Sequence, residues 1–302
     1  MSMWGNLGRL PGVARRACLI RLSARSIERL ATITWCVKSL CNARERWSGI
    51  TRYETGRELM LLDPADKWRA MTGKTLESLL DRRFYCGRVA RPDEAWPDLR
   101  EVAQALARQI VALRGDNPKR PVILSPFHYV SQCVYVYVLD EVRKALGLET
   151  LSAVTGVFAG EEMVMPKLEP LYTRDDGQRN NLGLRVIPAL RRDGVVVLFA
   201  DAAPYTMHRF LMETVDVTVL GRPGRIHGGV FRIGARMNTV LLPFYLRFAR
   251  GRFSAEMLEA VELASPDAPQ QLADRISIAL KSNYAHWLMA GHPSMYGFAS
   301  VK

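Results

Sequence analysis

Three short apolar runs constrain this chain more than any other feature: residues 122–127 (VILSPF), 195–200 (VVVLFA) and 239–248 (TVLLPFYLRF). Runs this short, bounded by turn or polar residues, read as strands buried on both faces. Residues 151–158 and 215–220 read as two further strands, and 252–263 as a hairpin partner of 239–248. Helix-like segments lie between them, from 128 to Leu146, over 182–192 and over 226–237, with a last helix at 269–289. Residues 54–115 read as mainly helical, with clear runs near 74–84 and 98–114. Strands alternating with helices predict an α/β fold, with a mixed, largely parallel sheet flanked by helices and a helical N-terminal region. There is no internal repeat.

Charge adds a second constraint. The chain has 302 residues and a formal charge of +12, and residues 1–60 hold eleven Arg or Lys against four Glu. More than half of the excess is therefore N-terminal. In residues 19–41, Leu19, Leu22, Ile27, Leu30, Ile33, Val37 and Leu40 recur at roughly helical spacing, with Trp35 among them. A basic amphipathic helix carrying a Trp suits a bilayer interface; packing on the protein's own core is the other reading. No run reaches the roughly eighteen apolar residues of a transmembrane helix, and no signal-peptide core is expected between Arg16 and Arg21. The division this suggests is a basic amphipathic segment over 1–50 and an α/β domain over 51–302. The five cysteines, Cys18, Cys36, Cys41, Cys86 and Cys133, form no CxxC pair, so reduced thiols are expected rather than a metal site. No recognisable RNA- or DNA-binding motif interleaves the basic residues with aromatics, so nucleic acid is not an expected partner.

Candidate chemistry collects at strand ends, where α/β folds bind their ligands. His128 follows the run 122–127, and Asp201 follows 195–200. Alone, each reads more readily as a core or capping residue; as two polar groups at strand ends they make a candidate site, provided that the two strands are neighbours in the sheet. The segment Leu220, Gly221, Arg222, Pro223, Gly224, Arg225 reads as a loop whose guanidinium and backbone N–H groups suit a phosphate, although it is also an ordinary turn sequence. Arg174, in the polar loop 173–181, is counted with Gly221, Arg222 and Arg225 as substrate-binding.

The order of these pieces resembles a known family. A strand ending in His is followed by RRDGVVVLFADAAP (191–204), then VTVLGRPGRIHGGVFRIGARMNTVLLPFYLRF (217–248), then NYAHWLM (283–289). This is similar to the late acyltransferases of bacterial lipid A biosynthesis, the lauroyl and myristoyl transferases, and to the wider lysophospholipid acyltransferase superfamily. The likeness spans roughly 120–290. It implies transfer of a fatty acyl chain from acyl carrier protein or acyl-CoA to a lipid or glycolipid acceptor, without a cofactor. It also implies a peripheral position on the cytoplasmic face of the inner membrane, against an anionic surface. The family pairs its His with an Asp or Glu five residues later, and that pair acts as general base.

Here the chain departs from the pattern, because the fifth residue after His128 is Cys133. Asp140 and Glu141 lie about two helical turns on, roughly 10 Å away at about 1.5 Å per residue. Three readings stay open. Another carboxylate such as Asp201 orients His128; Cys133 is a weak partner or a covalent acyl carrier; or the chain is a non-catalytic relative that binds lipid or an acyl carrier.

Overall fold

The computed structural model describes residues 17–155, 167–172, 182–204, 213–291 and 298. Its centre is set by the three apolar runs. They become β1 (Val122–Pro126), β4 (Val195–Val197) and β7 (Val240–Ala249), and their residues are buried except for Arg247 and Ala249 near the end of β7. β1 pairs parallel with β4 on one side and with β7 on the other. With β2 (Leu151–Thr155), β3 (Leu168–Tyr172), β8 (Arg252–Met257) and β9 (Val261–Glu262), they form a seven-stranded sheet. Its main path runs β3-β2-β4-β1-β7-β8, with β9 also on β7. β2 pairs parallel with both β3 and β4, and β8 and β9 pair antiparallel with β7. The expected mixed, largely parallel α/β sheet is therefore what the chain forms. Strands that follow β1 go to one side of it until β7 goes to the other, so β1 lies at the switch point where open sheets present their ligand crevice.

Helices cover the sheet. After an N-terminal layer of α1 (Ala24–Cys41), α2 (Ala43–Glu58) and α3 (Lys67–Ala90) come α4 (Pro97–Arg114), α5 (Gln132–Ala145), α6 (Leu182–Asp193), α7 (Gly229–Met237) and α8 (Ala268–Asn283). α1 starts where the Ser23 hydroxyl accepts the Ser26 N–H at 3.2 Å. Its apolar stripe is split. Ala24, Ile27, Ala31 and Trp35 are buried, with Ala24, Ile27 and Ala31 in the main core, whereas Ile33, Val37 and Leu40 are 61%, 59% and 81% exposed. One face of the helix thus packs on the protein's own core, and the apolar side chains of the other face are left exposed.

α2 had no apolar signature because its buried face is Gly49, Arg52, Thr55 and Gly56. Small residues let it press close. A Cβ at Gly56 would sit 2.4 Å from the Leu62 and Tyr284 side chains.

Two expectations need correction. Residues 222–225 are not a loop, and the helix does not begin at 226. Thr214–Val219 (β5) and Arg222–His227 (β6) form a separate two-stranded antiparallel ribbon. Leu220 and Gly221 turn it, with φ of 52° and 75°, the two left-handed positions a two-residue hairpin turn requires. The second correction concerns the last helix. It ends at Asn283; residues 284–286 form a 3₁₀ turn, and Trp287 pairs with Tyr129 in an isolated antiparallel bridge. Of the strand expected over 151–158, the part after Thr155 lies outside the described residues.

Candidate active site

The site grows from the ends of β1 and β4. Beyond β1 the backbone folds tightly, with Tyr129 N–H donating to Phe127 O and Ser131 N–H to Tyr129 O, each at 2.8 Å. Val130 carries a φ of 67°. For a β-branched residue this is a strained conformation, costing on the order of 1–3 kcal/mol. The segment beyond α8 holds it in place: Val130 N–H donates to His286 O, and Leu288 N–H to His128 O, both at 2.8 Å. Beyond β4, the Ala200 N–H donates to the buried Ser125 hydroxyl of β1 at 3.2 Å, which seats the following turn beside the end of β1.

These two turns bring His128 and Asp201 into contact. Asp201 is 1% exposed. Its Oδ1 lies 2.7 Å from His128 Nδ1. Its Oδ2 accepts the His128 backbone N–H at 2.7 Å and the Trp287 indole N–H at 3.1 Å. A carboxylate on Nδ1 fixes the tautomer with Nδ1 protonated and leaves Nε2 free to accept a proton. The His128 side chain is 9% exposed, and its ring centroid is 4.6 Å from the Phe199 ring. The arrangement can do general-base work: a buried, oriented imidazole at the crevice end of the sheet.

Cys133 has a different neighbour. Asp81, on α3, accepts the Ser131 hydroxyl at 2.7 Å and the Cys133 N–H at 3.1 Å. Ser131 in turn caps α5 by accepting the Val134 N–H at 3.2 Å. Burial first, then the Asp81 carboxylate and its hydrogen bond, hold the Cys133 thiol protonated, well above the ordinary thiol range. That environment is the opposite of the one that activates a cysteine nucleophile. The position five residues after His128 therefore lies in the first turn of a helix capped by Ser131, and the carboxylate on His128 comes from the turn beyond β4.

The remaining predicted residues sit on the ribbon or outside the description. Gly221 and Arg222 are exposed at the hairpin tip. Arg225 pairs with Asp216 across the ribbon at 2.6 Å. The ribbon is seated on α8 by Thr218 N–H to Gln270 Oε1 at 2.8 Å and Leu220 N–H to the Ser277 hydroxyl at 3.0 Å. Arg174 lies outside the described residues.

Two participants escaped the sequence. Trp287 sits in NYAHWLM, which reads as a helix; Asp81 sits mid-helix without motif spacing. No family model matches the chain, and no curated protein does either.

Proposed function

We propose that the protein is an acyltransferase that moves a fatty acyl chain from a thioester, acyl carrier protein or CoA, to a hydroxyl or amine of a lipid or glycolipid. The observation that supports this reading is the buried Asp201 carboxylate 2.7 Å from His128 Nδ1, which supplies the acid that the fifth position lacks. His128 Nε2 takes the proton of the acceptor hydroxyl as that oxygen bonds to the thioester carbonyl carbon. The tetrahedral intermediate then collapses, the C–S bond breaks, and the leaving thiolate recovers the proton from the imidazolium. Asp201 stabilises the imidazolium in between. Arg222 and Arg225 belong to the acceptor side of this reading, where a guanidinium pairs with phosphate in two parallel hydrogen bonds.

The reading carries a location, the cytoplasmic face of the bacterial inner membrane. Among the described residues no helix is long and apolar enough to cross a membrane. The outward stripe Ile33, Val37 and Leu40 supports a surface position, with Trp47 on α2 and Trp68 on α3 also exposed, and Arg29, Lys38, Arg44 and Arg46 exposed in the same layer. Apolar side chains within a basic rim match an anionic lipid surface.

The experiment is to incubate the protein with radiolabelled acyl carrier protein or acyl-CoA and anionic lipid vesicles, then follow label into lipid. Transfer that His128→Ala abolishes supports the reading. Binding of acyl carrier or lipid without transfer from any thioester sinks it and leaves a non-catalytic binding protein, the second reading, which the Cys at the fifth position favours. Ile33, Val37 and Leu40 together changed to Gln should release the protein from vesicles without unfolding it; unaltered vesicle binding would remove the stripe from the membrane reading.

A further inference from the structure

Arg52 is a charged residue buried in an unusual way. It is 4% exposed, and among the described residues it is paired with no carboxylate. Burial lowers its affinity for its proton. Its guanidinium is held by carbonyls alone: Nε–H donates to Ala70 O, one Nη to Ala290 O, and the other Nη to both Ala285 O and Trp287 O, each at 3.1 Å. Burying a charge this way is costly unless its donors are satisfied, and four carbonyl dipoles do that here. Three of the four carbonyls belong to the segment after α8. The fit is tight, since a Cβ at Gly73 would lie 2.6 Å from Arg52 Nη2 and 2.8 Å from Ala285 O.

The clasped segment has one polar side chain aimed at the site. The Trp287 ring is 1% exposed, and its indole N–H donates to Asp201 Oδ2, the same oxygen that accepts the His128 backbone N–H. The Trp287 and His128 backbones are locked together as well, through the Tyr129 bridge and the Leu288 N–H to His128 O bond. A continuous set of contacts therefore runs from α2 through the segment to the imidazole. We infer that Trp287 is a positioning residue for the Asp201–His128 pair, and that Arg52 of α2 fixes Trp287 by clasping the carbonyls around it. The indole holds one carboxylate oxygen still, so that the other points at Nδ1. The N-terminal helical layer is by this route part of the site.

The inference rests on His128 and Asp201 being the working pair, and the test reads that pair without acyl transfer. In proton NMR of the full chain, the Nδ1–H of His128 bonded to Asp201 gives a downfield resonance, assigned by its loss in His128→Gln. Trp287→Phe keeps the ring and removes the N–H. The resonance should move upfield and exchange faster with water while thermal unfolding stays cooperative. Arg52→Lys keeps the charge but cannot reach all four carbonyls, and should move the resonance in the same direction. In the transfer assay, Trp287→Phe should lower kcat by roughly 10–100-fold, the scale for losing a partner that orients a functional ligand, with KM unchanged.

An unmoved resonance in folded Trp287→Phe overturns the inference. If Trp287→Phe moves it but folded Arg52→Lys does not, Arg52's part is overturned. If neither Arg52→Lys nor Arg52→Gln folds, Arg52 is a core residue only, and its part is overturned again. A shifted resonance in a protein with no transferase activity sinks the proposed reaction and leaves the positioning role standing.

Discussion

Two carboxylates flank the turn that follows β1, and they do opposite things. Asp201 reaches it from the end of β4, deeply buried, and holds the His128 ring, the His128 N–H and the Trp287 indole. Asp81 reaches it from α3, partly exposed, and holds the Ser131 hydroxyl and the Cys133 N–H. One orients an imidazole; the other sits at the first turn of α5, where an anion meets free N–H groups and the positive end of the helix. The difference lies in the partner. Asp201 meets an imidazole, whose two ring nitrogens can hold or pass a proton, and Asp81 meets a hydroxyl and a backbone N–H. Position along the chain is a poor guide to such a role, because the sheet brings residues 128 and 201 together while the helix start claims the nearer site.

Breaking Asp201 should have the largest effect. Asp201→Asn presents an amide where a carboxylate accepts from Nδ1, and the imidazole takes the wrong tautomer. Turnover should drop by about 10⁴-fold, the scale of the equivalent change in a serine-protease triad, with secondary structure kept. Steady-state transfer of labelled acyl groups, with circular dichroism as control, measures this. Full activity would make Asp201 a structural acceptor like Asp81.

Acid should destabilise the fold through the segment that carries Trp287. His286, next to Trp287, is buried, and burial first, then Arg69, Arg52 and Arg247, push its imidazole down to about 3. In the unfolded chain a His titrates near 6.5. Between these values the unfolded state binds more protons, so stability rises with pH, is fully present above about 6.5, and is lost as pH falls toward about 3. Urea unfolding at a series of pH values should show this slope in wild type. His286→Gln should flatten it, and an unchanged slope would remove His286 from the account.

The contrast also explains what the sequence made legible. β1, β4 and β7 were plain because all are continuous apolar runs, and continuous burial leaves no other code. His128 and Asp201 were visible as polar residues at strand ends. Their contact was not, because strand adjacency is a tertiary fact. α2 was invisible because close approach replaced apolar bulk, with Gly49 and Gly56 facing inward beside a buried Arg. β5 was read as a strand, but its partner β6 was missed because Leu220, a residue seldom found at positive φ, takes one of the two turn positions. Trp287 was lost to a helix that stops four residues before it.

Asp81 itself offers a smaller break. Asp81→Ala removes the acceptor at the start of α5 and should cost about 1 kcal/mol, the usual worth of a helix cap. Thermal melts would record it as a drop of a few degrees. Turnover should fall far less than with Asp201→Asn. An equal loss in both variants would mean that the two carboxylates form one catalytic unit, and the comparison would collapse.

The smallest effect belongs to Cys133, and it sharpens the comparison most. Its thiol is held protonated by burial and by Asp81, which works against a role as nucleophile or as a base for His128. Cys133→Ser keeps a donor facing Asp81 and a similar volume. A hydrogen bond to the carboxylate offsets the added polarity, so stability should change by less than about 1 kcal/mol. Turnover should change by much less than the roughly tenfold that about 1.4 kcal/mol would produce. Restoring an acid with Cys133→Asp should bring no gain, because His128 Nδ1 is already held by Asp201. It would also set a second carboxylate beside Asp81, and like charges that close push a proton onto one of them. Intact-mass measurement during turnover separates the outcomes. Loss of activity in Cys133→Ser, together with loss of an acyl adduct seen in wild type, would make the cysteine a covalent carrier. A faster Cys133→Asp enzyme would mean that the imidazole can leave Asp201 for the nearer acid.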